Sequence, residues 1–505
     1  MDQQNNPIPP QQPYGWQPVP VYRAPAHQAE GREIILAVFT LICGIFLWNS
    51  IFNGGFSLGF ALGTLLLLGG TVVYLLRCGF RPGGYSIALL GFCAAIAAGF
   101  AWSDDLLIKL FLALLEIAAY NMALAITTGQ NRYAPGSITS LADGPRVLFG
   151  VGCGSLERSA RGLVDSAKSG GKRSGPVLVG LLISIPLIVV LVALLMGADA
   201  AFEGLMDQLP EFNIQVAAMS FLFGTFFAWL MYSRTVALRR MAKPEKTETV
   251  TCRVSPLMLN TVLGAVCLVY GVYLLSQLAY FWGGLSGILP EDFTLAEYAR
   301  RGFFETAWLC AINLSCISLS LGLVKKDPVT PRLTRVLCLF IGLITVFFTV
   351  TACAKMLLYI DGYGLTRLRV LTQLTTLFLG AATVVVMVWI FCPKLPYMKI
   401  VMLMALALGT VTLWADVDTQ VARYNVAAYR TGELATVDME YLADLGEGAL
   451  PYLEELTRDA NPIIAQEAKD LLTSSRRRYD EDWQAWNYLS AVGKEIKDRY
   501  PDTKK

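Results

Sequence analysis

The amino-acid sequence predicts an all-α protein: a polytopic transmembrane helix bundle of about eleven spans, followed by a small soluble helical module at the C-terminus. Two observations predict this class. Hydrophobic residues make up 55% of the 505-residue chain and charged residues only 16%, whereas about a quarter of the residues are charged in typical soluble domains. The apolar residues lie in runs of about 20, the length that a helix needs to cross ~30 Å of hydrocarbon. These runs lack the alternation of a membrane β-barrel, so we expect helices.

The chain begins with a segment that has no apolar face. Residues 1–32 are rich in proline and glutamine, which is typical of a disordered tail, here a cytoplasmic one. Segment 33–126 is predicted to form the first four transmembrane helices, and segment 176–416 the fifth to the eleventh. The predicted spans are 34–52, 56–76, 84–102, 106–126, 176–197, 214–236, 256–282, 303–323, 334–359, 370–392 and 399–415.

Segment 127–175 is predicted to be a basic cytoplasmic loop that contains an amphipathic helix. Within 145–168, apolar residues such as Val147 and Leu163 alternate at helical spacing with Arg158 and Arg161. A basic amphipathic helix is expected to lie on the anionic cytoplasmic leaflet. The glycines at 150, 152 and 154 lack the preceding strand and the spacing of a nucleotide-binding loop, so we expect no nucleotide there.

The distribution of lysine and arginine predicts the orientation, because positive residues concentrate on the cytoplasmic side. Loops 127–175 and 237–255 hold many of them, with Arg234 counted at the border of the second loop. The alternate loops 53–55 and 103–105 hold none. We therefore predict a cytoplasmic N-terminus and, with eleven spans, an external C-terminus. An even number of spans would reverse the side of the C-terminal module.

The C-terminal segment 417–505 is predicted to form a soluble module of short helices. It is acidic, with 12 basic and 17 acidic residues. Its leucines recur at helical spacing on both sides of Gly446, which predicts a packed hairpin: Leu442, Leu445, Leu450, Leu453 and Leu456. Such a pattern is typical of a packing surface rather than a catalytic one.

Glu116 is the most informative single residue, because it falls near the middle of the span 106–126. A carboxylate there costs about 2.5–3.5 kcal/mol on insertion scales. Two interpretations stay open: a proton-linked or substrate-contacting carboxylate, or a structural hydrogen bond to a neighbouring helix. Lys109 lies two turns earlier, and we expect it to extend to the outer interface beside Asp104 and Asp105.

Four arginines contradict the charge bias because they fall in predicted external loops: Arg300, Arg301, Arg367 and Arg369. We expect them either to form buried ion pairs that hold helices together or to bind an anionic ligand or lipid headgroup. The polar residues near them in the sequence are Glu305, Lys355, Tyr359, Asp361 and Tyr363, and the expected pairing carboxylates are Glu297, Glu305 and Asp361.

Apart from Glu297, these residues lie in two segments, YARRGFFE at 298–305 and KMLLYIDGYGLTRLR at 355–369. Together with GADAAF at 197–202, VARYNVAAYRTGEL at 421–434 and DMEYLADLGEGALPYL at 438–453, they resemble a bacterial family of multi-pass membrane proteins catalogued as a domain of unknown function. The resemblance spans roughly residues 141–456. It implies a polytopic protein of the bacterial inner membrane and supplies no substrate or catalytic residue. It also suggests that these segments meet in space.

The sequence offers no catalytic constellation. Its single histidine, His27, argues against Ser-His and Cys-His nucleophile pairs and against histidine-ligated zinc or haem. The sequence therefore favours a non-enzymatic protein over an enzyme, and we expect no cofactor and no nucleic-acid partner. The leading hypothesis is an envelope sensing, assembly or interaction protein whose external module binds a protein partner. The alternative is a transporter or lipid-handling protein that uses Glu116 or the arginine cluster. A membrane-embedded transferase, supported only by Asp199 and Glu203, is a third hypothesis.

Overall fold

The computed structural model describes residues 28–169, 214–244, 254–285, 303–323, 332–474 and 482–501, together with isolated positions between 184 and 195. Within these residues every regular element is helical. Eight of the described helices are long and apolar enough to cross a membrane, by length and composition. The predicted fold class, an all-α polytopic helix bundle, is confirmed.

The helices up to residue 415 follow the predicted spans closely. They are α1 (Gly31–Gly54), α2 (Leu58–Arg77), α3 (Gly84–Gly99), α4 (Leu106–Thr128), α5 (Leu156–Ser169), α6 (Ile214–Arg240), α7 (Pro256–Leu285), α8 (Phe303–Leu323), α9 (Arg332–Tyr363), α10 (Arg367–Phe391) and α11 (Tyr397–Ala415). All except α5 correspond to a predicted span. The apolar stretches of α3 and α8 are shorter than those of the eight long helices. The predicted span 176–197 lies outside the described residues except for isolated positions between 184 and 195.

Helices α1 and α6 pack antiparallel at a glycine contact. A Cβ atom added at Gly44 would lie 2.6 Å from the carbonyl oxygen of Gly224, so only small residues allow this approach. Phe52, near the end of α1, contacts Phe223, near the start of α6. At each end of the bundle, one of these two helices therefore begins and the other ends.

The bundle has two chemically different ends. We call the end where α1 begins the N-terminal end. There the Arg32 guanidinium donates to the carbonyl of Arg77, the last residue of α2 (2.9 Å), and the Gln130 amide donates to the carbonyl of Met241 (2.8 Å). Helices α2, α4 and α6 thus end where α1 begins. The opposite end, where α1 and α11 end, is called the module end.

The chain between α4 and α5 enters the bundle. It forms a 3₁₀ turn (Ile138–Ala142), a helical turn (Asp143–Pro145) and a π-helix (Arg146–Cys153). A Cβ at Gly144 would lie 2.7 Å from the carbonyl oxygen of Ala118, ten residues or ~15 Å along α4 from its end. Segment 138–153 is therefore a re-entrant segment, and the expected surface helix at 145–168 begins only at Leu156.

The C-terminal module packs directly on the module end. Its helices are α12 (Val417–Thr431), α13 (Met439–Asp444), α14 (Leu450–Leu456), α15 (Pro462–Ser474) and α16 (Tyr488–Arg499), with 3₁₀ turns at Glu447–Ala449 and Trp483–Ala485. The five leucines predicted to pack together are all buried. They share one hydrophobic core with residues of α4 and α11. The module is thus continuous with the bundle in its packing rather than tethered to it.

Aromatic rings accumulate where the module meets the bundle. Trp102 stacks on Tyr488 with ring centroids 4.3 Å apart, and Trp414 lies 5.7 Å from Trp102. Trp483 stacks on Phe46 at 6.1 Å. Tryptophan and tyrosine concentrate at membrane–water interfaces, and here they lie where the module meets the bundle.

Candidate functional site

Arg367 joins three separate parts of the chain at the module end. It is the first residue of α10, and its Nε donates to Oδ1 of Asp418 (2.6 Å) while its Nη2 contacts the second oxygen of the same carboxylate. Its Nε also lies 3.5 Å from Oδ2 of Asp105. Asp418 lies in the first turn of α12, and Asp105 caps the N-terminus of α4. We call the set Asp105, Arg367, Asp416, Asp418 and Tyr441 the junction.

Backbone groups beside Arg367 extend the junction into the module. The Arg367 N–H donates to the Tyr441 hydroxyl (2.7 Å). The Leu365 N–H donates to Oδ1 of Asn425 (2.7 Å), and the Asn425 amide donates back to the Leu365 carbonyl (2.8 Å). Gly364 has φ +73° and a Cβ there would lie 2.7 Å from Asn425 Oδ1, so this position requires glycine.

These contacts bring together three of the five segments that carry the family resemblance: 355–369, 421–434 and 438–453. For these three, the expectation that the segments meet in space is confirmed. Segment 197–202 lies outside the described residues, as does 298–302. The described part of segment 298–305 is the backbone at the start of α8.

Asp416 forms the corner between α11 and α12. It adopts φ +49°, which is uncommon for a residue other than glycine. Its carboxylate accepts from the Ser103 hydroxyl (3.0 Å) and from the Thr419 N–H (3.0 Å) and hydroxyl (2.5 Å). These bonds cap α12 and tie the corner to the loop between α3 and α4, which explains how the strained backbone is held.

The junction concentrates buried negative charge. Asp105, Asp416 and Asp418 are all buried. Burial raises the pKa of Asp418, Arg367 opposes the rise through its hydrogen bond and its charge, and the neighbouring Asp416 and Asp105 add to it, so that the net pKa is about 6. Within the described residues no group of acidic, cysteine and histidine side chains has the arrangement of a metal site. The arrangement is suited to holding segments in place through charge-assisted hydrogen bonds.

Lys109 lies near Asp104 and Asp105, as expected, but its side chain is buried rather than extended at an exposed interface. It is buried, and its Nζ donates to the carbonyl oxygen of Phe56 in the turn between α1 and α2 (2.5 Å). Its charge interacts with those of Asp104, Asp105 and Asp416. The reason for the difference is tertiary: the turn after α1 covers this face of α4.

Glu116 is buried inside the bundle, with 4% of its surface exposed. Its Oε1 has no hydrogen-bond partner among the described residues. Asp105, Lys109, Glu116 and Tyr120 are spaced four, seven and four residues apart, which places them on one face of α4. All four side chains are buried, so a row of polar groups runs along the inside of this helix.

Arg234, predicted to lie at a loop border, is a buried cation. Only 1% of its surface is exposed, and its Nη1 donates to Oδ1 of Asn121 (2.9 Å). Its guanidinium carbon lies 5.4 Å from the centre of the Tyr120 ring. The Nε and Nη2 atoms have no hydrogen-bond partner in the part of the chain that the structure describes. A Cβ at Gly152 of the re-entrant segment would lie 3.6 Å from the Cβ of Arg234.

The remaining predicted residues play different parts. Arg369 donates to the carbonyl of Tyr363 (3.0 Å) at the end of α9, and its guanidinium lies 4.0 Å above the Tyr359 ring. Tyr359 and Tyr363 contact each other edge to face. Asp361 is exposed and Lys355 is half-buried on α9.

The arginine cluster is therefore not one site in the described structure. Arg367 and Arg369 have separate partners, and those of Arg367 are Asp105 and Asp418 rather than Asp361. Arg300 and Arg301 lie outside the described residues. Glu305 lies in the first turn of α8, and its side chain is not described.

The family comparison covers this junction. Residues 85–456 match the family described as a domain of unknown function (DUF4153). The chain belongs to the DUF4153 family. The match ends at the last residue of α14, so it contains the whole junction, Glu116 and Arg234. No curated protein and no solved structure matches the chain. The protein is an integral membrane protein whose family description assigns no activity, so the function has to be argued from the geometry.

Proposed function

We propose that this DUF4153 protein is a non-enzymatic interaction protein of the bacterial cell envelope, acting in sensing or assembly. In this proposal its C-terminal module is held in a fixed orientation at the external face of the inner membrane and binds a protein partner. The observation that carries the proposal is the Arg367 junction. It couples the module to α10 through charge-assisted hydrogen bonds between Arg367 and Asp418, whose geometry fixes orientation as well as proximity, and Arg367 also forms an ion pair with Asp105 at the start of α4.

Continuity of the core supports the same proposal. A module that served only as a flexible tail would need no shared core, yet the leucines of α13 and α14 pack with residues of α4 and α11. Movement of the module would therefore disturb the helices of the bundle, and movement of those helices would disturb the module. A sensor or an assembly platform requires this coupling, because partner binding must change the conformation of the membrane helices or be controlled by that conformation.

The surface of α15 is the best candidate for the partner contact. Ile463 at its start is 73% exposed, and the charged residues Glu467, Lys469 and Asp470 are exposed on the same helix. Protein interfaces combine an apolar core with a polar rim, so Ile463 would lie in the core of the contact and its charged neighbours in the rim. The module as a whole is acidic, so a partner with a basic surface would fit it.

The relative position of the chain ends supports the proposed orientation. Helix α1 begins at the N-terminal end of the bundle, whereas α12 begins at the module end. Lysine and arginine are concentrated in the loops of the N-terminal end, which is the pattern of a cytoplasmic face. These two observations together support a cytoplasmic N-terminus and an external module.

Photocrosslinking in native membranes tests the proposed surface. A photoreactive residue at position 463 should give a discrete adduct with a protein partner. The same residue at Leu114, which is 69% exposed on the apolar surface of α4, is the matched control and should give no protein adduct. The adduct at 463 should weaken when Arg367→Gln loosens the module. Equal adducts from both positions, or none from any exposed position of α15, would contradict the proposal.

A second candidate function is ion-coupled transport, favoured by buried atoms that have no hydrogen-bond partner among the described residues: Oε1 of Glu116 and Nε and Nη2 of Arg234. Charged groups inside a membrane bundle commonly mark proton or substrate pathways. In proteoliposomes, a pH jump should then produce a charge movement that Glu116→Gln abolishes without changing the folded yield. An identical response from the wild type and the variant would remove Glu116 from any such pathway.

A further inference from the structure

Helix α4 holds the guanidinium of Arg234 in place inside the bundle. Arg234 lies six residues before the last residue of α6, about 9 Å from that end of the helix. Only 1% of its surface is exposed. Its Nη1 donates to Oδ1 of Asn121 (2.9 Å), and its guanidinium carbon lies 5.4 Å from the centre of the Tyr120 ring. Both contacts come from α4, so this helix fixes the position of the guanidinium.

One edge of this guanidinium has no hydrogen-bond partner in the described part of the chain. Its Nε and Nη2 atoms are buried and form no hydrogen bond there. The Tyr120 hydroxyl interacts with the group, but it donates to the carbonyl of Leu68 (3.2 Å) and satisfies neither nitrogen. The N–H bonds of Nε and Nη2 run parallel and match the two oxygens of a carboxylate. The unpaired edge of Arg234 is therefore one that suits a carboxylate.

Two other arginines show how this chain uses the same edge. Arg499 donates from Nε to Oε1 of Glu454 (2.9 Å) and from Nη2 to Oε2 (2.7 Å). Arg367 donates from the same two nitrogens to the two oxygens of Asp418. In each pair a single carboxylate binds both nitrogens. The corresponding edge of Arg234 has the geometry to bind the same group.

Burial makes the unpaired edge of Arg234 costly. An exposed guanidinium has water as a partner, whereas a buried one without a counter-charge destabilises the fold. Glu116 is buried on α4 one turn before Tyr120, but its Oε1 forms no hydrogen bond with a described residue. No carboxylate of the described residues forms an ion pair with Arg234. A bound anion would balance the charge of Arg234.

The re-entrant segment lies beside Arg234 and leads from it to the surface. A Cβ at Gly152 would lie 3.6 Å from the Cβ of Arg234, and the Ser233 hydroxyl donates to the carbonyl of Gly152 (3.1 Å). This part of the segment is a π-helix, a conformation that is frequent at functional sites. The next two residues, Cys153 and Gly154, are exposed. A small shift of this backbone would connect Arg234 with the surface.

We propose that Arg234 binds the carboxylate of a small molecule through Nε and Nη2. Asn121 positions the guanidinium, and the π-helix of the re-entrant segment moves to admit the ligand. This site does not depend on the partner surface of the module, which lies beyond the opposite end of the bundle. It gives the second candidate function a ligand class. Binding is measured without a transport step, so failure of one leaves the other open to test.

Acetate is a suitable probe, because it carries a carboxylate and little else. Thermal unfolding of the full chain in nanodiscs would be followed while sodium acetate replaces sodium chloride at constant ionic strength. A ligand that binds only the folded state raises the melting temperature, and the concentration dependence gives its dissociation constant. We expect a saturable rise with acetate and none with acetamide, which has a similar shape without the charge. Exclusion of acetate from the protein surface would also stabilise the fold, but in proportion to its concentration.

Arg234→Lys tests the assignment, with Arg430→Lys as the matched control. Lysine keeps the positive charge but lacks the two parallel donors. The affinity for acetate should fall roughly tenfold or more in Arg234→Lys, as expected for a lost charge-assisted bond. It should be unchanged in Arg430→Lys, since Arg430 is 43% exposed on the module. If Arg234→Lys does not fold, Asn121→Ala replaces it, because this variant removes the bond that positions the guanidinium and should also weaken acetate binding.

Three outcomes would overturn the proposal. The first is a wild type that shows no saturable rise when acetate replaces chloride, and this result needs no variant. The second is an unchanged affinity for acetate in Arg234→Lys, which would place the binding elsewhere. The third is a saturable rise in Glu116→Gln but not in the wild type, which would show that Glu116 is the internal partner of Arg234.

Discussion

Replacing Arg367 by glutamine should loosen the module without unfolding the bundle. Removing one partner of a fully buried ion pair costs about 3–5 kcal/mol, because the other charge is left buried and unpaired. The Asp418 side chain is 7% exposed, but that of Arg367 is 35% exposed. Solvent around the arginine reduces the cost, so we expect about 1.5–3 kcal/mol.

Hydrogen exchange of the amides in α12 and α13 measures this loss directly. A loss of about 1.5–3 kcal/mol corresponds to a fall in protection of about 10- to 150-fold. The amides of α1 and α6, which are remote from the junction, should keep their protection. Adding Asp418→Asn to Arg367→Gln should restore part of the protection, because the buried carboxylate is then no longer charged.

The pair Arg430 and Glu455 provides the matched control on the same module. Both side chains are 43% exposed, and exposed pairs of this kind contribute about 0–1 kcal/mol. Arg430→Gln should therefore change protection in α12 by less than about fivefold. If Arg367→Gln lowers protection no more than Arg430→Gln does, the junction does not hold the module and our reasoning is refuted.

Three other predictions concern pH, packing and buried charge. Folding raises the pKa of Asp418 from its ordinary value of 3.8 to about 6, so protonation of this carboxyl stabilises the folded state. This contribution to the free energy of unfolding is complete below pH 3.8 and is lost as the pH rises through 6. The loss is about 3 kcal/mol at most, and it should vanish from thermal melting curves of Asp418→Asn. Gly224→Val should lower the melting temperature, because a Cβ there would lie 2.6 Å from the Cα of Ile45, whereas Gly264→Val, in open space, should not; equal melting would show that the α1–α6 contact is looser than described. Glu116→Gln should leave the melting temperature unchanged or higher, because it removes a buried carboxylate that costs about 2.5–3.5 kcal/mol; a marked fall would show that the charged form is paired.

The helices of the bundle were predictable because their signal is local. The span 34–52 corresponds to Gly31–Gly54, and 106–126 corresponds to Leu106–Thr128. Each apolar run has the length that the bilayer requires, and polar residues mark its ends. The hairpin leucines of the module were predictable for a similar reason, since their spacing alone defines a common face.

The re-entrant segment was not predictable from its composition. Glycines, a proline and charged residues make 138–153 resemble an ordinary loop, and such residues are typical of turns. Its entry into the bundle depends on the close contact between Gly144 and the backbone of α4 at Ala118. A contact between positions 26 residues apart in the sequence leaves no periodic signal.

The partners of the arginines could not be predicted from the sequence either. Arg367 violates the charge bias, which correctly marked it as a residue that needs explanation. Its partner Asp418 lies 51 residues away, on a helix whose placement depends on the corner at Asp416. Arg234 was misplaced for the opposite reason: it stands six residues before Arg240 and looks like part of the same basic border, although the fold buries it.

A reporter measurement of topology tests the central claim, that the docked module is an external surface. A phosphatase active only outside the cytoplasm and a fluorescent protein active only inside would be fused in turn to each end of the full chain. We predict a cytoplasmic signal from the N-terminal fusion and an external signal from the fusion after Lys505. Signals from the same side would contradict the placement of the two termini at opposite ends of the bundle. An external N-terminus with a cytoplasmic module would contradict the orientation on which the proposed partner depends.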